Sequence, residues 1–277
     1  LRNKNNTVLN IDKISYASNE DFIEKNDQYA ISKIDLSDVN SVEKTILDFN
    51  PDNIFHLAAE SHVDNSITSP SPFIFSNIIG TFNLLEASRK LLKKKSKENS
   101  FKFHHISTDE VFGDLEINDP SFNEDSPYKP SSPYSASKAS SDHLVRSWIR
   151  TYDFPAVITN CSNNYGPNQH QEKLIPMVIN NIINRKPIPV YGDGLQIRDW
   201  LYVEDHIDAL IKVSMEAPVG ETFNIGGEEE LSNIDLIKLI CQLMDDKLSK
   251  NNSENLISFV NDRAGHDRRY SIDFTKI

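Results

Sequence analysis

The sequence predicts an α/β fold: an open parallel sheet with helices on both faces. Two observations predict it. Apolar strand-like runs alternate with helical patterns through the first half of the chain, and each strand-like run ends in small or polar residues. A third observation adds a smaller region. From about residue 163 the elements shorten and turn signals multiply, at Tyr191-Gly192-Asp193-Gly194, Asn224-Ile225-Gly226-Gly227 and Asp262-Arg263-Ala264-Gly265-His266.

Residues 7–11 read as a buried strand that runs into Asp12, and residues 29–34 as a second strand. A helix follows at 41–49, an apolar strand at 53–58 and a long helix at 72–92. Residues 101–107 form the next strand and 156–160 the one after it. The helix between them, at 133–152, opens on Ser131-Ser132-Pro133, a start signal. Ala136, Ala139, His143, Leu144, Ser147, Trp148 and Tyr152 then recur at helical spacing. The chain divides on this reading into a dinucleotide-binding domain, 1–162, and a substrate-binding region, 163–277.

The 277 residues carry a net charge of −12, with 38% hydrophobic and 25% charged residues, the composition of an ordinary soluble protein. An acidic chain without a basic stripe argues against nucleic acid as a partner. The basic run at residues 90–97 reads as a solvated stretch after a helix. Cys161 and Cys241 are the only cysteines, so no disulfide framework or thiolate metal site is expected, and a reducing cytoplasm fits. No apolar run reaches the length of a membrane span.

Ligands of an open parallel sheet bind beyond the carboxyl ends of its strands. Five strand ends here carry suitable residues: Asp12, Asp35-Leu36, Leu57-Ala58-Ala59-Glu60-Ser61, Ser107-Thr108-Asp109-Glu110 and Asn160-Cys161-Ser162-Asn163-Asn164. An acid such as Asp12 ends the second strand of a dinucleotide fold, about 20 residues after a glycine-rich loop. The first of the 9 glycines is Gly80, so that loop and the strand before it are expected to be missing. The expected consequences are a gap in the sheet, poor folding and weak cofactor binding by the chain as it stands.

Thr108-Asp109-Glu110, Tyr134 and Lys138 form a set of proton-transfer groups. On a helix Tyr134 and Lys138 share a face, and an ammonium there would lower the phenol's pKa. The second Tyr-x-x-x-Lys pair, Tyr29 and Lys33, lies on a strand, where i and i+4 are roughly 13 Å apart and cannot cooperate. Adjacent carboxylates tend to separate their pKa values, leaving one acid and one base. That is the equipment for eliminating water.

His104-His105-Ile106-Ser107-Thr108-Asp109-Glu110-Val111-Phe112-Gly113 and Ser132-Pro133-Tyr134-Ser135-Ala136-Ser137-Lys138 resemble the extended short-chain dehydrogenase/reductases. Among these the chain is similar to the dTDP-glucose 4,6-dehydratases, a likeness carried also by residues 56–64, 160–167, 196–205 and 262–270. It covers essentially the whole chain, apart from the missing glycine loop and C-terminal segment, and Ala264 stands where the family usually has a proline. The resemblance implies a Rossmann-like, doubly wound parallel sheet with its first strand missing, and a smaller mixed α/β substrate-binding region. It implies a homodimer that uses NAD on the small-molecule substrate dTDP-glucose. The product, dTDP-4-keto-6-deoxyglucose, feeds rhamnose and other deoxysugars.

The implied roles follow the chemistry. Tyr134 takes the C4 hydroxyl proton with Lys138 beside it and Thr108 bonded to the C4 oxygen. Glu110 takes the C5 proton, and Asp109 protonates the leaving C6 hydroxyl before C6 is reduced. Asp12, Lys13, Asp35, Leu36, Leu57, Ala58, Ala59, Glu60, Ser76 and Asn164 are implied to line the cofactor, with Tyr134 and Lys138. Asp12 favours NAD over NADP, because a carboxylate repels a 2′-phosphate. Ser61, Asn163, Lys173, Leu174, Pro189, Tyr191, Arg198, Asn233, Arg263 and His266 are implied to meet the nucleotide sugar, with the two arginines suited to a diphosphate. The rival readings are a 4-epimerase or decarboxylase, which lacks the need for an acid–carboxylate pair, a GDP- or CDP-sugar dehydratase, and an inert nucleotide-binding fragment.

Overall fold

The computed structural model describes residues 6–19, 26–95, 101–249 and 252–277; the last two lysine-run positions, 96 and 97, lie outside them. Strands β1 (Val8–Asp12) and β2 (Tyr29–Lys33) pair in parallel as a sheet of their own. Helix α1 (Val39–Phe49) starts at Asp38, whose carboxylate accepts from the backbone of Asn40 and Ser41. Strand β3 (Asn53–His56) joins β4 (Lys102–Thr108), β5 (Ala156–Cys161) and β9 (Thr222–Ile225) in a four-stranded parallel sheet, order β3-β4-β5-β9. β4 and β5 are buried along almost their whole length, as strands covered on both faces are.

The expected gap is met by a separation. Among the described residues β1 pairs with β2 alone, and β3 pairs with β4 alone, so the two sheets do not join. The strand of residues 53–58 stops at His56, because Leu57 to Glu60 leave the ladder. Asn77 holds that departing loop from the side: its Oδ1 accepts from Glu60 N at 2.8 Å and its Nδ2 donates to Glu60 O at 3.0 Å. Two short helices follow, α2 (Val63–Thr68), unforeseen in the sequence, and α3 (Ser71–Phe73).

The long helix expected at 72–92 is one run with a changed pitch. α3 passes through a π-helical turn, Ile74–Ile79, into α4 (Gly80–Leu92). The wider turn directs buried Asn77 at the Glu60 loop and sets Ser76 near Lys13. Gly80 then lets the helix approach the segment after β2, since a Cβ there would lie 2.9 Å from Leu36 Cβ. Helix α5 (Pro133–Tyr152) keeps its expected bounds: Ser132 and Ser135 form a reciprocal capping box, Pro133 opens the first turn, and Asp153 ends it in a left-handed conformation.

The second region is mixed. β6 (Asn163–Tyr165), α6 (Leu174–Ile183), β7 (Ile188–Tyr191), β8 (Ile197–Tyr202), α7 (Val203–Glu216), β10 (Glu230–Ser232), α8 (Asn233–Leu248) and β11 (Ile257–Val260) make up most of it. β8 pairs parallel with β6 and antiparallel with β10, and β11 pairs parallel with β7. Val178, Ile182, Ile188, Val190, Ile237 and Ile240 build its core. β9 crosses back to the main sheet, so the boundary at 162/163 divides the sequence while the sheet draws on both sides of it. No helix among the described residues is long and apolar enough to cross a membrane.

Candidate active site

The end of β4 turns into a single 3-10 turn, Asp109–Val111, capped by Thr108, whose Oγ1 accepts from Glu110 N at 3.3 Å and donates to Asp109 Oδ1 at 3.2 Å. This turn fixes two neighbouring carboxylates at the C-terminal edge of the sheet. Asp109 is buried, and its carboxyl is pushed up to about 8, by burial first and by the adjacent Glu110 charge next. Its Oδ2 is buried without a hydrogen-bond partner. Glu110 is also raised by burial, but the charges of Arg198, Arg263 and Lys173 pull against that rise. The pair is thus divided into a carboxyl that keeps its proton at neutral pH and one surrounded by cations.

Tyr134 opens α5 beneath this turn and is buried; Lys138 follows one helical turn later and is 4% exposed. The expectation of a lowered phenol pKa is corrected. Tyr134 is raised well above its ordinary value, by burial first, then by the Glu110 charge, while a hydrogen bond with Thr108 works in the opposite sense. Lys138 does not offset this, because its Nζ donates to Ile106 O at 2.8 Å, within the sheet.

The expected cofactor residues gather along the strand ends. Asp12 Oδ1 accepts from Ile14 N at 2.6 Å and Ser18 Oγ at 3.2 Å, and Ile14 is held at φ +53°, a left-handed conformation costly for a β-branched residue. Lys13 pairs with Glu60 and donates to Ser76 Oγ at 3.1 Å, joining β1 to the β3 loop and the π turn. Asp35 is lowered by the backbone N–H of Ser37 first, and also by Lys13. Leu57, Ala58 and Ala59 are exposed, Leu57 by 58%, forming an open apolar shelf. Asn164 Oδ1 accepts from His206 Nδ1 at 2.7 Å. Leu36 differs: its side chain belongs to the core with Val42, Ile46 and Leu85, and its carbonyl accepts from Asn83.

The expected substrate residues form a second group. Arg198, on β8, is buried; it donates to Ile197 O at 2.7 Å and Asp267 O at 3.0 Å and lies 4.2 Å over the Tyr270 ring. Arg263 Nη1 meets Asp64 Oδ1 at 3.5 Å, and its Nε is buried without a partner. Tyr191 donates to the other Asp64 oxygen at 3.2 Å. His266 bonds Asp262 Oδ1 at 2.6 Å and packs edge-on to Tyr191. Lys173 immediately precedes α6 and donates to Ser61 O at 3.2 Å, bridging the two regions; Leu174 follows it into the second core. Asn163 Oδ1 is buried and unpartnered. Pro189 lies in the β7–β11 pairing, and Asn233 begins α8 with its N–H on Gln196 O.

Several residues of this site were not singled out in the sequence: Asp64, Asp262, Asp267, Tyr270 and Asp142. Asp64 accepts from Arg263 and Tyr191, and Asp262 bonds His266 and the Arg263 backbone N–H. Their only sequence signal was membership of the motif stretches, since an isolated aspartate carries no spacing pattern.

The sequence and the fold both have relatives among known proteins. The family described as GDP-mannose 4,6 dehydratase matches residues 1–277. The chain is 52% identical to a dTDP-glucose 4,6-dehydratase of Neisseria meningitidis serogroup B, over 100% of this chain and 81% of that protein. A dTDP-glucose 4,6-dehydratase of Streptomyces venezuelae, solved with NAD and TYD bound, superposes with TM-score 0.89 at 36% identity, covering 98% of this chain and 80% of that one. A UDP-glucuronic acid 4-epimerase of Bacillus cereus, solved with UDP-glucuronic acid and NAD, superposes with TM-score 0.86 at 27% identity, covering 99% and 84%.

Proposed function

The chain belongs to the dTDP-glucose 4,6-dehydratase family, and from that membership we infer that it converts dTDP-glucose to dTDP-4-keto-6-deoxyglucose with NAD as cofactor. One observation carries the choice over an epimerase. Asp109, held up at about 8, and Glu110, ringed by Arg198, Arg263 and Lys173, supply a proton donor and an acceptor side by side. An epimerase that only oxidises and reduces C4 has no use for both.

The residues fit the cofactor. The exposed shelf of Leu57, Ala58 and Ala59 would support it, between the carboxylates of Asp12 and Asp35 and the Lys13–Glu60 pair. Among the described residues both loop-fixing bonds to Asp12 fall on Oδ1, which leaves Oδ2 as the acceptor for ribose hydroxyls. Bound NAD supplies the oxidant at C4, the reductant at C6 and a positive ring charge that opposes the burial raising Tyr134. Tyr134 takes the proton of the C4 hydroxyl, with Thr108 bonding the C4 oxygen. The 4-ketone acidifies C5–H; Glu110 removes that proton, and Asp109 delivers its own to the departing C6 hydroxyl, so water leaves. Glu110 then returns a proton to C5 as C6 is reduced. Arg198 and Arg263 hold the diphosphate, with Asn163 and Lys173 nearby, and the 163–277 segment carries most of this nucleotide-sugar contact.

The protein acts in the cytoplasm as a homodimer on this reading. Support for the dimer is the exposed apolar row Phe75, Ile79 and Phe82 on the π turn and α4, beside exposed Tyr152 of α5. The test of function is mass spectrometry of dTDP-glucose incubated with NAD and the protein. Loss of one water without net reduced cofactor is expected. An unchanged mass with a new epimer would overturn the reading.

A further inference from the structure

Below the reacting groups, the structure holds a second set of buried ionisable residues that the reaction does not consume. Asp142 lies on α5 one turn beyond Lys138, at i+4 on the same helix face, and is 0% exposed. A carboxylate withdrawn from water needs partners in the interior. Asp142 has three neutral ones. His105 Nε2, from β4, lies 3.0 Å from Oδ1. Tyr128, from the loop before α5, donates its hydroxyl to Oδ2 at 2.9 Å. Asn160, from β5, reaches Oδ2 at 3.3 Å and uses the same Nδ2 to donate to Thr108 O at 3.2 Å. Arg146 touches the set at its rim, donating to the Tyr128 hydroxyl at 3.1 Å.

We propose that Asp142 is a positioning residue, the buried counter-ion of Lys138, and that through Asn160 it ties the lysine's helix to the strand end that carries Thr108, Asp109 and Glu110. The reason is electrostatic. Lys138 is almost fully enclosed, and its one hydrogen-bond acceptor is the neutral carbonyl of Ile106. Burial draws its ammonium below the ordinary value, and Asp142 is the foremost group that opposes this. Burial would likewise raise Asp142, yet the hydrogen bond of His105 and the charge of Lys138 hold it below its ordinary value. His105 itself is lowered by burial first, so it serves as a neutral hydrogen-bond partner. The other titratable groups facing the pair are His56 of β3, lowered and therefore neutral, and Cys161 of β5, pushed up to about 12 and therefore a thiol. Asp142 is thus the sole anion of this set at neutral pH among the described residues.

The proposal rests on the dehydratase reading, and its experiment has one arm that does not. Melting temperatures are compared for the wild type, Lys138→Met, Asp142→Asn and the double variant. Each single change strands one charge in the interior, so the double variant is expected to melt above either single one. Additive losses, or a double variant that fails to fold, would overturn the proposal whatever the reaction turns out to be. The second arm follows C4 oxidation in a single turnover, a step that does not involve the Asp109 proton. Removing the Asp142 charge lowers the Lys138 pKa, so in Asp142→Asn the alkaline limb should move down by about one pH unit or more, with KM for the sugar nucleotide unchanged. Tyr128→Phe removes a bond but no charge and should leave the limb in place. An unmoved limb in Asp142→Asn, or an equal shift in Tyr128→Phe, would show a packing role only. Lack of turnover by the wild type would instead count against the dehydratase reading.

Discussion

Asp109 and Glu110 are chemically alike and adjacent, yet they are assigned opposite tasks, and the division comes from what surrounds them. Asp109, pushed up to about 8, binds a proton in the folded state that it loses in the unfolded chain above about pH 4. Its folded pKa is the raised one, so stability from this residue is full below about pH 4 and falls as pH rises towards 8. Asp109→Asn should therefore melt higher than the wild type near pH 7, by roughly 1–2 kcal/mol, while turnover falls about 10²–10⁴-fold. Calorimetry alongside a turnover assay checks both; a variant that is less stable at pH 7 would show that Asp109 is ionised there. Wild-type turnover should also decline above about pH 8, as the Asp109 proton is lost, when followed by product formation across pH. The proposal of these residues was open to the sequence alone, because Thr108-Asp109-Glu110 and the Tyr134–Lys138 spacing are local patterns. The direction of the Tyr134 shift was not. It comes first from the burial of Tyr134 and then from the Glu110 charge, and both depend on how distant parts of the chain pack together.

At the scale of elements, the π turn Ile74–Ile79 matters more than its length suggests. It carries Asn77, which grips both backbone polar groups of Glu60 and donates to Ser137 Oγ at 2.8 Å on α5. One side chain thus joins the loop after β3 to the helix that bears Tyr134. Asn77→Ala should cost about 2–3 kcal/mol in urea unfolding, since it leaves buried groups unpaired. It should also weaken NAD binding measured by titration calorimetry, because the Leu57–Glu60 shelf loses its clamp. Unchanged affinity would mean that the shelf holds its shape without Asn77. Helix α5 was readable to its ends because its capping box and Pro133 are local signals. The π turn was not, since the helical pattern of 72–92 continues through it and the Asn77–Glu60 bonds that accompany the wider turn join residues 17 apart.

For the molecule as a whole, the sheets set the order of stability. A two-stranded sheet is marginal by itself, whereas β4 and β5 are flanked on both sides. Amides of β1 and β2 should therefore exchange with solvent faster than those of β4 and β5, by about tenfold or more, in native-state hydrogen exchange. Equal protection would show that the two sheets unfold together. The apolar row of Phe75, Ile79 and Phe82 belongs to this scale as well. Phe82→Asp should shift the sedimenting species from dimer to monomer while leaving the helical circular dichroism unchanged; a wild type that sediments as a monomer would remove the dimer from the account.

The sequence by itself determined the alternation of strand and helix, the polar residues at the strand ends, and the short motifs from which the proton-transfer groups are proposed. Each is written in periodicity, caps or short motifs, which act over a few residues. The tertiary structure alone decided which carboxyl keeps its proton, where the Lys138 charge is directed, and that β9 returns from the second region to complete the main sheet. Those outcomes turn on burial and on contacts between residues far apart in the chain, and the energy of a charge depends on what encloses it more than on what adjoins it in sequence.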